Sequence, residues 1–298
     1  MASRTQSKAE EAIEKIKKTV PNADLHFLQL DLTELAAIKK AADDFLGREK
    51  RLDILLNNAG VMATPYTMTK DGIELQVGTN VVGHYLFTML LLPTLYNTSK
   101  LPEYANPDSP SVRIVQVSSM GHNASPSDTS FKDLEAVNKQ YGPEIKGTWE
   151  RYGKSKTGNI IIANELAKLL PKDARVTNIS LHPGVVRTGL IRGPSESYGR
   201  VIGALNSLAS RFFTAPEDGA LTQLYACASL EVDRLDLNGA YLIPVAKVGK
   251  KSKVATDKDG KLGSELFSFC NNFVKEKIGV DLVAHVQEVG LQLPQSHL

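Results

Sequence analysis

The chain has 298 residues, 42% hydrophobic and 23% charged, the balance of a water-soluble globular protein that buries one large core or two small ones. Its 35 basic and 33 acidic residues leave a net charge of +2, which gives no reason to expect nucleic acid or an anionic membrane as partner. The two cysteines, Cys227 and Cys270, form no CxxC or metal-ligand pattern and read as reduced, buried thiols of a cytoplasmic protein without a metal site.

The first helix is predicted over SKAEEAIEKIK, where Ser7 and Glu10 match a capping box and Ala9, Ala12, Ile13 and Ile16 recur at helical spacing. Residues 1–20 are charged and read as part of the fold, not as a signal peptide. LHFLQLDL (25–32) reads as a strand ending at Asp31, with Thr33 capping a helix through LAAIKKAADDFL (35–46). LDILLNNAG (52–60) is a short apolar strand, followed by a helix over about 72–96. Its apolar run, 81–96, contains Gly83, His84 and Pro93 and is expected to be a buried or interface helix, with no membrane span predicted. SVRIVQVSS (111–119) is a third strand, and a polar stretch separates it from a helix at about 150–170. RVTNISLHPG (175–184) and GAYLIP (239–244) complete the strands, and a last helix is placed near 263–277 after the basic loop KKSKVATDKDGK. Strands alternating with long helices predict a doubly wound parallel α/β sheet in a single domain, 1–298. A segment at 189–218 is expected to close over the site, and 245–298 forms a C-terminal extension.

Ligands bind such sheets at the carboxyl ends of the strands. On that rim, RYGKSK (151–156) places Tyr152 and Lys156 at i and i+4, on one helix face. A free tyrosine titrates near pH 10, and a neighbouring ammonium favours the phenolate, so the pair makes sense as a general acid/base. Tyr-x-x-x-Lys arises by chance about once in a chain this rich in both residues, and a second copy, Tyr96 to Lys100, occurs here. It sits where a helix runs out and reads as structural. Ser119 either donates to a substrate oxygen or merely turns the chain. His84 and His182 read as packing or turn residues.

Together NNAG (57–60), Asn80 in TNVVGHYLFT, VSS (117–119), YGKSK (152–156) and HPGVVRT (182–188) resemble the short-chain dehydrogenases/reductases, in that family's order and over essentially the whole chain. The long insert before Tyr152 and the tail around ELFSFCNNFV (265–274) resemble its retinol-dehydrogenase-like branch. The resemblance implies a Rossmann-like fold and an enzyme interconverting an alcohol and a carbonyl with a nicotinamide cofactor. Tyr152 would then transfer the proton, and Lys156 would lower its pKa and bind the nicotinamide ribose. Ser119 would hold the substrate oxygen, and Asn80 would position a water leading to Lys156. Asp31 and Leu32, with Asn58, Ala59 and Gly60, would line the adenosine side. Pro183, Gly184, Val185 and Thr188 would hold the nicotinamide end. Arg4 matches a position that pairs with the 2′-phosphate of NADP, which makes NADP the expected cofactor, with NAD the other.

One element of the pattern is missing. The family's glycine-rich phosphate loop precedes its first helix, yet the first glycine here is Gly47. Met1–Arg4 resembles the end of the family's second strand, so the resemblance implies a chain N-terminally truncated by a strand, a helix and most of a second strand. A shortened reading frame, a short isoform with damaged cofactor binding, and a sheet that closes up each explain this; the first is the preferred reading. The strands at 25–31 and 52–56 are then expected to lose backbone partners and apolar cover. The leading function is an oxidoreductase of a lipophilic or aromatic substrate. A cofactor-deficient binding or regulatory protein is the alternative, and a sugar-nucleotide epimerase a third. The helices at 72–96 and 155–170 either pair in a homodimer or are covered within one chain.

Overall fold

The computed structural model describes residues 1–106, 108–171, 173–186 and 214–298. The chain begins with β1 (Ala2–Ser3), α1 (Gln6–Thr19), β2 (Leu28–Gln29), α2 (Leu35–Arg48) and β3 (Ile54–Asn57). Next come α3 (Leu75–Thr98), β4 (Val112–Val117), α4 (Glu144–Leu169) and β5 (Val176–Leu181). The last third contributes α5 (Leu221–Ala228), β6 (Tyr241–Ile243), β7 (Lys247–Val248), α6 (Lys261–Ile278) and α7 (Leu282–Gln287).

Strands β3, β4, β5 and β6 lie side by side and parallel, and β7 closes the edge antiparallel. Their Val, Ile and Leu residues are buried on both faces of β4 and β5, as a sheet with helices on each side requires. This is the predicted α/β architecture. The sheet is divided, however: β1 and β2 pair only with each other, and among the described residues nothing pairs with the free edge of β3. Leu55 and Asn57 of β3 face the core, whereas Ile54 and Leu56 are 42% and 38% exposed on the other face. Among the described residues β3 therefore has one open edge and one bare face. The second predicted strand shrinks to Leu28–Gln29 because only the short β1 is there to pair with it.

Helix α3 runs through the core and is π-helical over Gly78–Gly83. By length and composition it could cross a membrane, but 94% of its most apolar window is buried inside the protein. Its outer face is covered by the same chain. Tyr85 Oη donates to Asn271 Oδ1 on α6 at 2.8 Å, Tyr85 and Phe267 meet edge to face at 4.9 Å, and His285 on α7 reaches the Leu90 carbonyl at 3.0 Å. On α4, Ile161, Ile162 and Leu166 join Leu266 and Phe267 in one apolar cluster, and Glu165 meets His297 at 3.2 Å. The C-terminal extension therefore occupies the faces that the sequence left open to a second copy.

Several helix ends differ from expectation. The N-cap of α1 is Thr5, without a side-chain cap, and Ser7 and Glu10 lie within the helix, where Glu10 accepts from Gln6 Nε2 at 2.8 Å instead of reaching back to a cap. Thr33 is bound to Asp31 Oδ1 at 2.7 Å, so Asp71 instead accepts from the first amide of α2, Leu35 N, at 2.8 Å. Helix α4 begins at Glu144, and the basic loop contains a short helix, Lys253–Thr256, capped by Ser252 Oγ. Both cysteines are free, and burial raises both thiols, Cys227 to about 11.

Candidate active site

Tyr152 and Lys156 stand one turn apart on α4, where it packs on β4 and β5. Two glycines let this helix touch the turn that follows β4. A Cβ at Gly153 would lie 2.6 Å from the Ala124 carbonyl carbon and the Ser125 nitrogen, and one at Gly121 would lie 2.6 Å from Tyr152 Cε1. Ser119 begins that turn: its Oγ accepts from Gly121 N at 3.0 Å, and Ser119 Oγ and the Tyr152 ring both lie against Gly121, 3.3 Å and 2.6 Å from where a Cβ would be.

Lys156 Nζ donates to the Val117 carbonyl at 2.9 Å, lies 5.8 Å from the centre of the Tyr152 ring, and has no ion-pair partner among the described residues. Burial pushes its ammonium down to about 7. Burial also pushes the Tyr152 hydroxyl up to about 12, against the pull of the Ser119 hydrogen bond. The expected lowering of Tyr152 by Lys156 is not what this geometry gives. Desolvation disfavours both charged forms and brings the ammonium itself close to neutral. At neutral pH Tyr152 keeps its proton.

Asn80 lies in the π-helical turn and is fully buried. Its side chain accepts from Val61 N and donates to Val61 O, each at 2.9 Å, and also donates to Ser155 Oγ at 2.9 Å. It thereby clamps the end of the Asn57–Gly60 turn. A Cβ at Gly60 would come 3.0 Å from Asn80 Oδ1 and 3.4 Å from Lys156 Nζ, so glycine is what allows the turn this close. His84 holds the same turn, with Nε2 at 2.8 Å from the Ala59 carbonyl and Nδ1 at 3.1 Å from the Asn57 amide. Burial lowers His84 to about 4, so it is neutral and carries a single N–H. Asn57 Oδ1 faces Nδ1 and Asn57 Nδ2 donates to Thr88 Oγ1 at 2.8 Å, so the single imidazole proton goes to one of two acceptors, Asn57 Oδ1 or the Ala59 carbonyl, according to tautomer.

The other predicted residues are more dispersed. Pro183, Gly184 and Val185 follow β5 on the rim beside Ser118, whose N donates to Leu181 O at 2.7 Å. Gly184 turns the chain at φ +95°, a conformation open to glycine. Thr188, and the segment 189–213, lie outside the described residues. Asp31 Oδ1 is used by Thr33 N and Oγ1. The Leu32 side chain packs into the core, and its carbonyl lies 2.7 Å from where a Cβ of Gly83 would be. Arg4 is exposed at the carboxyl end of β1. Asn80 and Lys156 thus flank Gly60, and Ser119 and Tyr152 flank Gly121, with Tyr152 and Lys156 on one face of α4, while Arg4 and Asp31 sit apart on the rim of the β1–β2 pair. The second Tyr-x-x-x-Lys copy is used locally, with Lys100 Nζ 3.8 Å above the buried Tyr96 ring.

Three supporting groups escaped the sequence reading. His122 Nδ1 donates to the Ser119 carbonyl at 2.7 Å, its Nε2 accepts from Ser252 N at 3.0 Å, and its ring meets Tyr241 edge to face at 4.9 Å. It ties the C-terminal extension to the end of β4. Arg151, beside Tyr152, pairs with buried Glu74 at 3.3 Å and donates to the Gln140 carbonyl at 2.9 Å. Asn159 follows Lys156 by three residues and reaches both it and Asn80. Helical spacing could have exposed Asn159; nothing in the sequence singles out His122 or Glu74.

A family model described as short chain dehydrogenase matches residues 1–130. An uncharacterized oxidoreductase of Schizosaccharomyces pombe is 39% identical over 250 residues, covering 84% of this chain and 70% of its own. The chain belongs to the short-chain dehydrogenases/reductases. As such it is an oxidoreductase. A short-chain dehydrogenase/reductase of Aspergillus calidoustus is 37% identical, over 86% of this chain and 80% of its own, and retinol dehydrogenase 11 of Mus musculus is 38% identical, over 78% and 65%. Among solved structures, a Mycobacterium paratuberculosis protein superposes with a TM-score of 0.61 at 25% identity, over 92% of this chain and 83% of its own. A Brucella melitensis 3-ketoacyl-(acyl-carrier-protein) reductase complexed with NADH shares the fold, with a TM-score of 0.52 at 21% identity, over 82% of this chain and 84% of its own.

Proposed function

We propose that this short-chain dehydrogenase/reductase interconverts an alcohol and a carbonyl on a lipophilic or aromatic substrate, with a nicotinamide cofactor and NADP preferred over NAD. The observation that carries the reading is the placement of Ser119 and Tyr152 on either side of Gly121, with Lys156 Nζ 5.8 Å from the Tyr152 ring centre on the same helix face. When bound, the nicotinamide ring supplies the site of hydride gain or loss. Ser119 Oγ donates to the substrate oxygen, and Tyr152 Oη gives that oxygen a proton in the reducing direction or takes one in the oxidising direction. A tyrosine held protonated at neutral pH suits reduction.

The residues present fit the nicotinamide and ribose end of the cofactor: Lys156 is a buried cation free of any ion pair among the described residues, and the bare Gly60 leaves space beside it. NADP rests on the exposed Arg4, and its phosphate would be met at the rim of β1. For the pyrophosphate the chain offers no glycine-rich helix start, since no glycine precedes Gly47. A second reading is a binding or regulatory protein without turnover.

Titration with NADPH, followed by nicotinamide fluorescence, separates the two. Saturation below millimolar cofactor, with aldehyde-dependent NADPH oxidation lost in Tyr152→Phe, is expected. No binding at millimolar cofactor overturns the first reading and favours the second, and full activity of Tyr152→Phe removes Tyr152 as the proton-transferring group.

A further inference from the structure

Asn159 occupies the junction between the π-helical turn and the buried lysine. It lies on α4 three residues beyond Lys156, is 1% exposed, and its Nδ2 donates to the Asn80 carbonyl at 2.7 Å. That carbonyl can only accept, so the orientation of the Asn159 amide is determined: NH₂ toward Asn80, oxygen toward Lys156. Oδ1 stands 3.4 Å from Lys156 Nζ, a long contact, and the Val117 carbonyl takes another proton of the ammonium at 2.9 Å. The Asn80 side chain meanwhile holds Val61 at both backbone groups. The Asn159 amide thus links the π-helical turn to the lysine, and the Asn80 side chain links that turn to the Gly60 turn behind it.

We propose that Asn159 is a positioning residue of the proton-handling site, anchored on the Asn80 carbonyl and holding the Lys156 amine between the Val117 carbonyl and the Gly60 turn. The proposal rests on Tyr152 and Lys156 being the working pair. It goes beyond them in assigning to a side chain of α4 the link between Asn80 and Lys156. The same geometry makes Asn159 an acceptor that favours the charged lysine. The titratable groups facing Lys156 are Tyr152 on its own helix and His84 from α3, raised to about 12 and lowered to about 4. Both are neutral near pH 7, so neither sets the direction in which Lys156 shifts when Asn159 is replaced.

The test is a pH titration of Lys156 in the cofactor-free protein, using lysine labelled at Cε, with the resonance assigned by Lys156→Arg. Asn159→Leu removes the acceptor, and the Lys156 midpoint should fall by about one unit; Asn159→Asp places a charge there, and it should rise by at least about one unit. Asn159→Ser is the reserve variant if Leu does not fold, with the same downward shift expected. A loosened helix would instead wet the lysine and raise its midpoint in every variant; that result, or no shift in any, overturns the proposal. The readout needs no turnover. Opposite shifts in a protein that binds no NADPH at millimolar cofactor would therefore sink the enzymatic reading and leave the placement of Lys156 standing. In kinetics, Asn159→Leu should lower kcat with little change in KM for the carbonyl substrate; an unchanged kcat would count against it.

Discussion

Gly121 lies against the ring of Tyr152, so close that a methyl group there would stand 2.6 Å from Cε1 and 2.9 Å from Cδ1. The contact is with a ring packed at 3% exposure, which cannot simply swing aside. Gly121→Ala must therefore move Tyr152 by a few tenths of an ångström or more and press on Ser119 Oγ, 3.3 Å from the added methyl. Displacements of that order at a reacting group cost about tenfold to a hundredfold in rate. Steady-state kinetics should show kcat reduced by that factor, with the melting temperature changed by only a few degrees. Undiminished kcat would mean that the Tyr152 position is not what limits turnover.

The raised hydroxyl of Tyr152 gives the two directions different pH profiles. Reduction uses the protonated form, which persists up to about pH 12, so kcat/KM for the carbonyl should be flat with respect to this group from pH 6 to 9. Oxidation uses the phenolate, and kcat/KM for the alcohol should climb through that range without a plateau. Lys156, near 7, adds a step to either profile, and Lys156→Arg should remove that step. A plateau for oxidation below pH 8 would show that the tyrosine titrates far lower when the site is filled.

The strand ends and the Tyr152–Lys156 face were legible because periodicity and helical spacing are local. Val112–Val117 reads as a strand from its own residues, and i to i+4 puts two side chains on one face whatever surrounds them. What surrounds them was not legible. Whether burial or the ammonium governs Tyr152 depends on how much water α4 and the Met120–Ala124 turn exclude, and that is set by Gly121 and Gly153 meeting across the interface. The cap of α2 failed for a similar reason: Asp71 comes from 36 residues downstream and displaces the local candidate, Thr33. That Phe267 and Asn271 of the chain's own tail pack on Tyr85 of α3 was not legible either, because the contact joins residues more than 180 positions apart.

Acid should weaken the fold through His84. Its imidazole is buried, lies under the Asn57–Gly60 turn and is held at about 4, whereas in the unfolded chain it titrates near 6.5. The folded state thus binds fewer protons between those values, and stability falls as pH drops from about 6.5 toward 4. A shift of that size corresponds to on the order of 3 kcal/mol. Urea unfolding at pH 7 and pH 4.5 should show the loss, and His84→Gln should be less stable at pH 7 yet less sensitive to acid. Equal acid sensitivity of the two would remove His84 as the cause.

Ile54 and Leu56 point away from the core on a strand with a free edge, a combination that favours edge-to-edge association. Neither side chain gains much from burial in this chain, so replacing both should cost little: surface substitutions lie within about 0.5 kcal/mol each. Ile54→Thr with Leu56→Lys keeps β propensity at one position and puts a charge at the other. Light scattering of the concentrated protein should show less aggregate, and the urea midpoint should hold. The core face gives the contrast. Leu55→Ala, on the same strand but 8% exposed, removes packing against α3 and should cost about 2–5 kcal/mol. If the double variant destabilised the protein as much as Leu55→Ala, the outer face of β3 would have to be covered in solution.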